Sequence, residues 1–320
     1  MKISALIPTY NRREHTLRAI ESILSQTVPV GEIIVVDDGS TDGTADEIER
    51  RFGGRVRVTR QANGGVSSAR RRAVSEATGD WIAFLDSDDV WTPGRTELFS
   101  KAIERAPGEV AWIFGNIQEV EDAGDGDALY AKHGLCVTEP LHVFADSLSV
   151  QHPFQFGLLQ GSVIKREALL EVNCFSENLK HSEDYLLGIQ IACRHGFAAI
   201  PEVVTKLYRT SDLTASSLNA SPALRPDYYR ARMMAFSLAV STGKRQPWGE
   251  LYADAVRGLC KELARNHQTI RGLPAQQFRF AISFRSVMFF GATVFGGGGL
   301  NFLRWLVGER RQDQIATKTA

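Results

Sequence analysis

The sequence predicts an α/β fold, a mostly parallel sheet flanked by helices, followed by a C-terminal helical region. Three observations carry that expectation. Short apolar runs alternate with stretches of helical periodicity through the first 118 residues, the signature of βαβ units. Two of these runs, Ile33–Val36 and Trp81–Leu85, end in acidic clusters, Asp37-Asp38 and Asp86-Ser87-Asp88-Asp89. Parallel strands that end on one sheet edge deliver their trailing residues to a common crevice, and carboxylates gathered there repel one another unless a cation or a ligand donor lies between them. Third, beyond Pro226 the strand signal gives way to helical spacing.

Taken in order, strands are expected near residues 3–8, 32–37, 55–60, 80–85 and 110–116. Between the first two, Asn11 stands at capping-box spacing from Glu14, and Leu17, Ile20, Ile23 and Leu24 share one helical face. Thr44 with Glu47 repeats the box before a helix ending near Phe52, and Thr92-Pro93 reads as an N-cap followed by proline at the first helical position. No Gly-x-Gly-x-x-Gly follows the first strand, which removes the main support for a dinucleotide site. Residues 121–128, acidic and glycine-rich, lack the spacing of a calcium loop and read as a solvated connection.

Further strands are expected over Gly161–Ile164 and Ala198–Leu207, with helices near 166–172 and 183–195. Trp248, Leu251, Tyr252, Ala255, Leu259 and Leu263 then form a core-facing helical stripe. Ser286–Leu303 is uncharged for 18 residues, with Arg279 and Arg285 before it and Arg304, Arg310 and Arg311 after it. Its length approaches a membrane span, yet Gly296 to Gly299 would each cost about 1 kcal/mol in a helix interior relative to alanine. An interface-lying segment, a buried helix pair and a true span all stay open; peripheral membrane contact through residues 279–311 is the reading carried forward.

Bulk properties narrow the class. With 37 basic and 37 acidic residues among 320, the net charge is zero and nothing global suggests a nucleic-acid partner. Cys136, Cys174, Cys193 and Cys260 are far apart and match no zinc or thiol-exchange motif, which fits a reduced setting. The N-terminus runs at once into Ile3–Pro8, too short and too soon polar for a signal peptide, so the expected location is cytoplasmic, at the inner face of the cell membrane if the C-terminal segment binds it.

The strand ends carry the chemistry. In Pro8-Thr9-Tyr10-Asn11 the proline is expected to end sheet pairing, leaving Tyr10 at the crevice mouth, where its ring suits stacking on a base; a tyrosine at a strand end is more often plain packing. Asp38, at the next strand end, is placed to accept the imide N–H of uracil. Asn63-Gly64-Gly65-Val66 precedes a helix bearing Arg70, Arg71 and Arg72; glycines there let backbone N–H groups approach a phosphate, with Arg70 adding charge. An arginine run is otherwise an ordinary solvated face. Asp86 and Asp88 alternate along the chain and so point the same way, as oxygen ligands of a hard divalent cation would; without the strand before them they would read as a polar turn.

These four motifs, in this order and spacing, resemble family 2 glycosyltransferases, nucleotide-sugar enzymes of the Rossmann-like GT-A fold. The resemblance covers roughly residues 1–210 and is most specific through about residue 95. It implies inverting transfer from a nucleoside diphosphate sugar, with UDP the expected nucleotide, to a hydroxyl of a glycan or lipid-linked acceptor. It implies a donor site of Pro8, Tyr10, Asn11, Asp38, Asn63, Gly65, Arg70, Asp86 and Ser87, and Mn2+ or Mg2+ held by Asp88 with Asp86. The family also places an acidic pair at the start of a later helix; Glu183-Asp184 matches it, with Asp184 as general base and Glu183 orienting the acceptor or sharing the role. Ser182 as N-cap and two acids in a first turn are also ordinary helix chemistry.

The implied organisation is a donor half over 1–118, an acceptor and catalytic half over 119–215 and a helical region over 216–320. Three departures stand out. The histidine that many relatives carry just after the last strand is missing from Leu207-Tyr208-Arg209-Thr210-Ser211, leaving Arg209 as a substitute cation; Arg71 replaces a common Asn; and Cys174 replaces a common Gly. The alternative reading is a catalytically silent nucleotide-sugar-binding protein of the same fold. A phospho-acceptor receiver domain fits poorly, because its acidic pair follows the first strand and its domain is much shorter.

Overall fold

The computed structural model describes residues 1–151, 158–176, 179, 182–209, 225–241, 251 and 255. Five strands built from the expected apolar runs set the frame: β1 (Ile3–Thr9), β2 (Glu32–Asp37), β3 (Arg57–Arg60), β4 (Trp81–Phe84) and, after a short β5 (Val90–Trp91), β6 (Val110–Glu121). Then come β7 (Gly124–Ala128), β8 (His142–Val143), β9 (Ser162–Lys165) and β10 (Gly196–Tyr208). They join one sheet in the order β3-β2-β1-β4-β9-β6-β10-β5, with β7 on β6 and β8 on β10. The β3-β2-β1-β4 run is parallel, β6 runs parallel to β10, and β9 is antiparallel to both of its neighbours.

Alternation along the inner strands builds two cores, one on each face of the sheet. Leu6, Ile34, Val36, Ile82 and Phe84 lie in one, while Ala5, Ile7, Ile33, Val35, Trp81 and Ala83 lie in the other. Helices cover both faces. On the second lie α1 (Arg13–Leu24), α2 (Thr44–Phe52) and α4 (Arg95–Arg105); on the first lies α3 (Val66–Glu76). Short helices α5 (Leu129–Lys132), α6 (Ser147–Gln151) and α7 (Arg166–Glu171) precede α8 (Glu183–Ala192), which adds Leu187 and Ile191 to the first core. The strand order leaves β1 in one direction to β2 and in the other to β4, so a crevice opens at their C-terminal ends.

Several local expectations are corrected. The acidic segment after residue 121 is not a plain loop but a hairpin, with Val120 paired to Asp125 and Glu121 to Gly124. Pro8 does not end the strand: β1 stays paired with β2 through Thr9, while its ladder with β4 stops at Leu6, since a missing N–H silences only one edge. None of the three expected N-caps takes that place. Arg12, Gly43 and Gly94 occupy them, because the side chains of Asn11 and Thr92 are used across the fold and the Thr44 hydroxyl donates to Asp42. Asn11 Oδ1 accepts from Thr41 N (2.7 Å) and Thr92 Oγ1 donates to Val203 O (2.8 Å). The work of two caps falls to Asp42, whose carboxylate accepts from Arg13 N (3.1 Å) at α1 and from Thr44 N (3.0 Å) at α2. Despite the opposing effect of burial, these bonds lower its carboxyl below the usual value.

Far from the crevice, Glu32 ties the opposite sheet edge. It accepts from Ser4 Oγ (2.6 Å), Thr78 N (2.7 Å) and Thr78 Oγ1 (2.8 Å), and pairs with Arg57 (2.9 Å). Burial alone would raise its carboxyl; the hydrogen bonds and Lys2 overcome that and bring it from 4.5 to about 2. The folded state therefore holds this proton less tightly than the unfolded chain, so the stabilisation is full above pH 4.5 and is lost as pH falls toward 2. Glu32→Gln is expected to remove up to about 3 kcal/mol at pH 7 and to flatten acid unfolding in that window. Urea titrations from pH 7 to pH 2 measure it, and an unchanged acid limb rules Glu32 out as its source.

The chain divides into two units, Met1–Leu224 and Arg225–Ala320. In the second, α9 (Arg225–Ser241) carries an Arg230–Asp227 pair at 2.7 Å and Arg232 over the Tyr228 ring at 3.7 Å. Of the stripe expected from Trp248 to Leu263 only Leu251 and Ala255 are described, and residues 279–311 lie outside the described residues. Among the described residues no helix is long and apolar enough to cross a membrane.

Candidate active site

The crevice is assembled from the ends of β1, β2 and β4, the loop before α3 and the first turn of α8. At β1, Asn11 adopts a left-handed φ of 51° and is latched to the next loop, its N–H donating to Ser40 Oγ (2.9 Å) and its side chain accepting from Thr41. The latch leaves Tyr10 48% exposed on the rim.

Asp38 is buried at the end of β2, and its carboxylate holds the glycine loop. Oδ1 accepts from Gln61 Nε2 (2.7 Å) and Gly64 N (2.9 Å), and Oδ2 from Gly65 N (2.7 Å). This corrects the expectation that the Gly64 and Gly65 amides face a phosphate: Asp38 takes both, acting as a remote cap for α3. Gly39 is required here, since its φ is +84° and a Cβ would stand 3.1 Å from Asn63 N. Asn63 itself is exposed beside the loop.

At β4 the four acidic-cluster residues separate by environment. Ser87 is buried. Asp89, also buried, accepts from Tyr208 N (3.0 Å); burial first, then the charges of Asp88 and Asp86, push its carboxyl well above the usual range, with Arg209 pulling the other way. Asp88 is partly exposed, ion-paired with Arg12, and its carbonyl accepts from Arg18 Nη2 (2.9 Å), whose guanidinium lies 4.2 Å over the Tyr208 ring. Asp86 is engaged on both oxygens, by Arg70 Nη2 (2.7 Å) and by Gln160 Nε2.

Arg70 is the junction. It is buried among α3 and its neighbours, 5.5 Å under the Phe175 ring, and its second nitrogen donates to Glu183 Oε1 (2.7 Å) at the start of α8. One guanidinium thus serves two carboxylates nearly a hundred residues apart in sequence. Desolvation opposes charge on both, but they differ: Arg70 and Gln160 hold Asp86 below its usual value, whereas burial and the adjacent Asp184 raise Glu183 despite Arg70. Asp184 is half-buried and accepts from its own helix at Tyr185 N (2.7 Å). It adjoins Glu183 in the first turn of α8, the turn that the Arg70 bridge ties to Asp86 at the end of β4.

Arg12, Arg18, Arg95 and Gln160 went unsingled in the sequence because nothing local marks them: Arg12 meets Asp88 from 76 positions away and Gln160 meets Asp86 from 74. Among the described residues no three His, Cys, Asp or Glu side chains converge as a metal cage. Asp88 is partly exposed and paired with Arg12, and Asp86 has both oxygens engaged, by Arg70 and Gln160.

Residues 4–168 match the profile of Glycosyl transferase family 2. The chain belongs to this family. An "Uncharacterized glycosyltransferase" of Rickettsia bellii is 31% identical over 216 residues, 67% of this chain and 29% of that protein. The UDP-Glc:alpha-D-GlcNAc-diphosphoundecaprenol beta-1,3-glucosyltransferase WfgD of Escherichia coli is 28% identical over 218 residues, 67% of this chain and 79% of that one. Among solved structures, residues 1–349 of S. aureus TarS in complex with UDP-GlcNAc superpose with a TM-score of 0.64 at 20% identity, covering 92% of this chain and 82% of that one. The fold of this family 2 chain is GT-A. It spans under a third of the length of the Rickettsia relative.

Proposed function

We propose that this family 2 chain is an inverting glycosyltransferase that moves a sugar from a UDP-sugar to a hydroxyl of a glycan or lipid-linked glycan. The observation that carries the reading is the Arg70 bridge, which ties the end of β4 to Glu183 and so sets Asp184 against the donor edge. Asp184 takes the proton of the acceptor hydroxyl as that oxygen attacks the anomeric carbon on the face opposite the leaving diphosphate. Glu183, ion-paired with Arg70, orients α8 and leaves the base role to its neighbour.

Base recognition is assigned to Tyr10 and Asp38. A carboxylate offers about four acceptor sites, and three on Asp38 are filled by the chain, leaving one for the imide of uracil. Asp88 suits a hard divalent cation, Mg2+ or Mn2+, which uses one or two carboxylates and takes its other oxygens from water and diphosphate. Such an ion would supply charge neutralisation to the leaving diphosphate. Arg12 pairs with the same carboxylate, Arg18 holds the Asp88 carbonyl, and Arg209 bears on Asp89 beside it, where a histidine is absent. The WfgD name, which specifies a UDP-sugar donor and a diphosphoundecaprenol-linked acceptor, supports this substrate class.

A panel of nucleotide sugars incubated with Mn2+, Mg2+ or EDTA tests the reading by release of the nucleoside diphosphate. Asp88→Ala is expected to lower kcat by at least about a hundredfold and to abolish the difference between metal and EDTA. Full activity in the variant sinks the metal assignment. UDP binding by calorimetry without turnover on any donor would favour the silent-binder reading instead.

A further inference from the structure

A row of polar side chains behind the site has no role in the transfer step as described. Arg95, the first residue of α4, is wholly buried between the Trp91 and Phe99 rings, at 4.5 and 4.8 Å. Its hydrogen bonds among the described residues go to neutral oxygens: Nη1 to Gln160 O (2.8 Å) and Thr205 Oγ1 (2.6 Å), Nη2 to Ser162 O (2.8 Å). Thr205 Oγ1 in turn donates to Gln160 O (2.7 Å). A planar guanidinium used on carbonyls fixes backbone rather than balancing charge. What it fixes is the short turn Leu159–Gly161, which is also pinned sterically: a Cβ at Gly161 would meet Ile117 at 2.8 Å.

From that immobilised turn the Gln160 amide donates to Asp86 Oδ2. Asp86 Oδ1 takes Arg70, and Arg70 reaches Glu183. Because the amide is neutral, it orients the carboxylate without competing with Arg70 for its charge. Without it, Asp86 can rotate about its side chain, and the guanidinium shared with Glu183 follows it.

We propose that Gln160, held by Arg95, is a positioning residue that fixes Asp86 so that Arg70 is shared with Glu183 and α8 is registered against the donor edge. Its kinetic consequence rests on Asp184 acting as the base. The test uses the full chain with Gln160→Met, which keeps length and removes the donor, Glu183→Gln, and the double variant. Gln160→Met is expected to lower kcat about tenfold with the donor KM within about threefold, and the double variant to lose no more than the worse single one, because both cut the same relay. Losses that multiply, or a Gln160→Met loss confined to KM, overturn the proposal.

Amide exchange supplies a readout that does not need turnover: the Glu183–Leu187 amides are expected to exchange about tenfold faster in Gln160→Met while those of β2 stay unchanged. Equal exchange overturns the relay. Should the methionine variant not fold, Gln160→Glu, of the same shape but with an acceptor facing Asp86, is read the same way. If the wild-type chain transfers no sugar from any donor, the function proposed above falls, and the exchange measurement still decides the relay.

Discussion

Asp184→Asn is expected to cut kcat by about 10²–10⁴-fold, the range a positioned general base contributes, while leaving donor affinity within about threefold. Asparagine keeps the shape, and its amide oxygen can still accept from Tyr185 N, so the first turn of α8 is preserved. The variant therefore removes basicity and little else. Single-turnover transfer, calorimetric UDP binding and melting temperature measured side by side separate the possibilities. Retained kcat rules out Asp184 as the base; a fall in kcat matched by lost UDP binding or early melting assigns the residue to structure.

Arg70→Met carries the largest expected cost in stability. It leaves the buried Glu183 and the partly buried Asp86 without their shared cation, a situation that costs about 3–5 kcal/mol for a buried pair. For a unit of this size that corresponds to a fall in melting temperature of roughly 6–20 °C. The pH dependence has a definite sign. Glu183 is already raised, and losing Arg70 removes the cation that opposes the shift, so the folded variant prefers the protonated acid. A raised carboxyl binds its proton more tightly in the folded state, so stability declines as pH rises above the ordinary value of 4.5. The deficit should be smallest near pH 5 and largest near pH 8, and adding Glu183→Gln should recover part of it at neutral pH. A melting temperature equal to wild type at pH 8 would mean that Arg70 does not neutralise the pair.

The strands were readable because their signals are local. An apolar run that keeps both faces buried marks an inner parallel strand, and β1, β2 and β4 begin and end within a residue or so of the expected ranges. The acidic clusters were readable as strand ends for the same reason. Helix starts were less so. Asn11, Thr44 and Thr92 are good caps by type, but Asn11 and Thr92 are drawn to segments from elsewhere in the chain, and Asp42 takes the work at two of the three positions, at α2 from two residues away and at α1 from 29.

By itself the sequence determined the sheet, the edge on which the carboxylates gather, and the family, since motif order and spacing are written in the chain. Only the tertiary structure decided what each carboxylate does. Asp38 holds the glycine loop, Asp89 is sealed against β10, Asp86 is bound by Arg70 and Gln160, and Asp88 is paired with Arg12. The physical reason is that an acid's role depends on its burial and on the donors it meets, and here those donors arrive from positions 16 to 119 residues away.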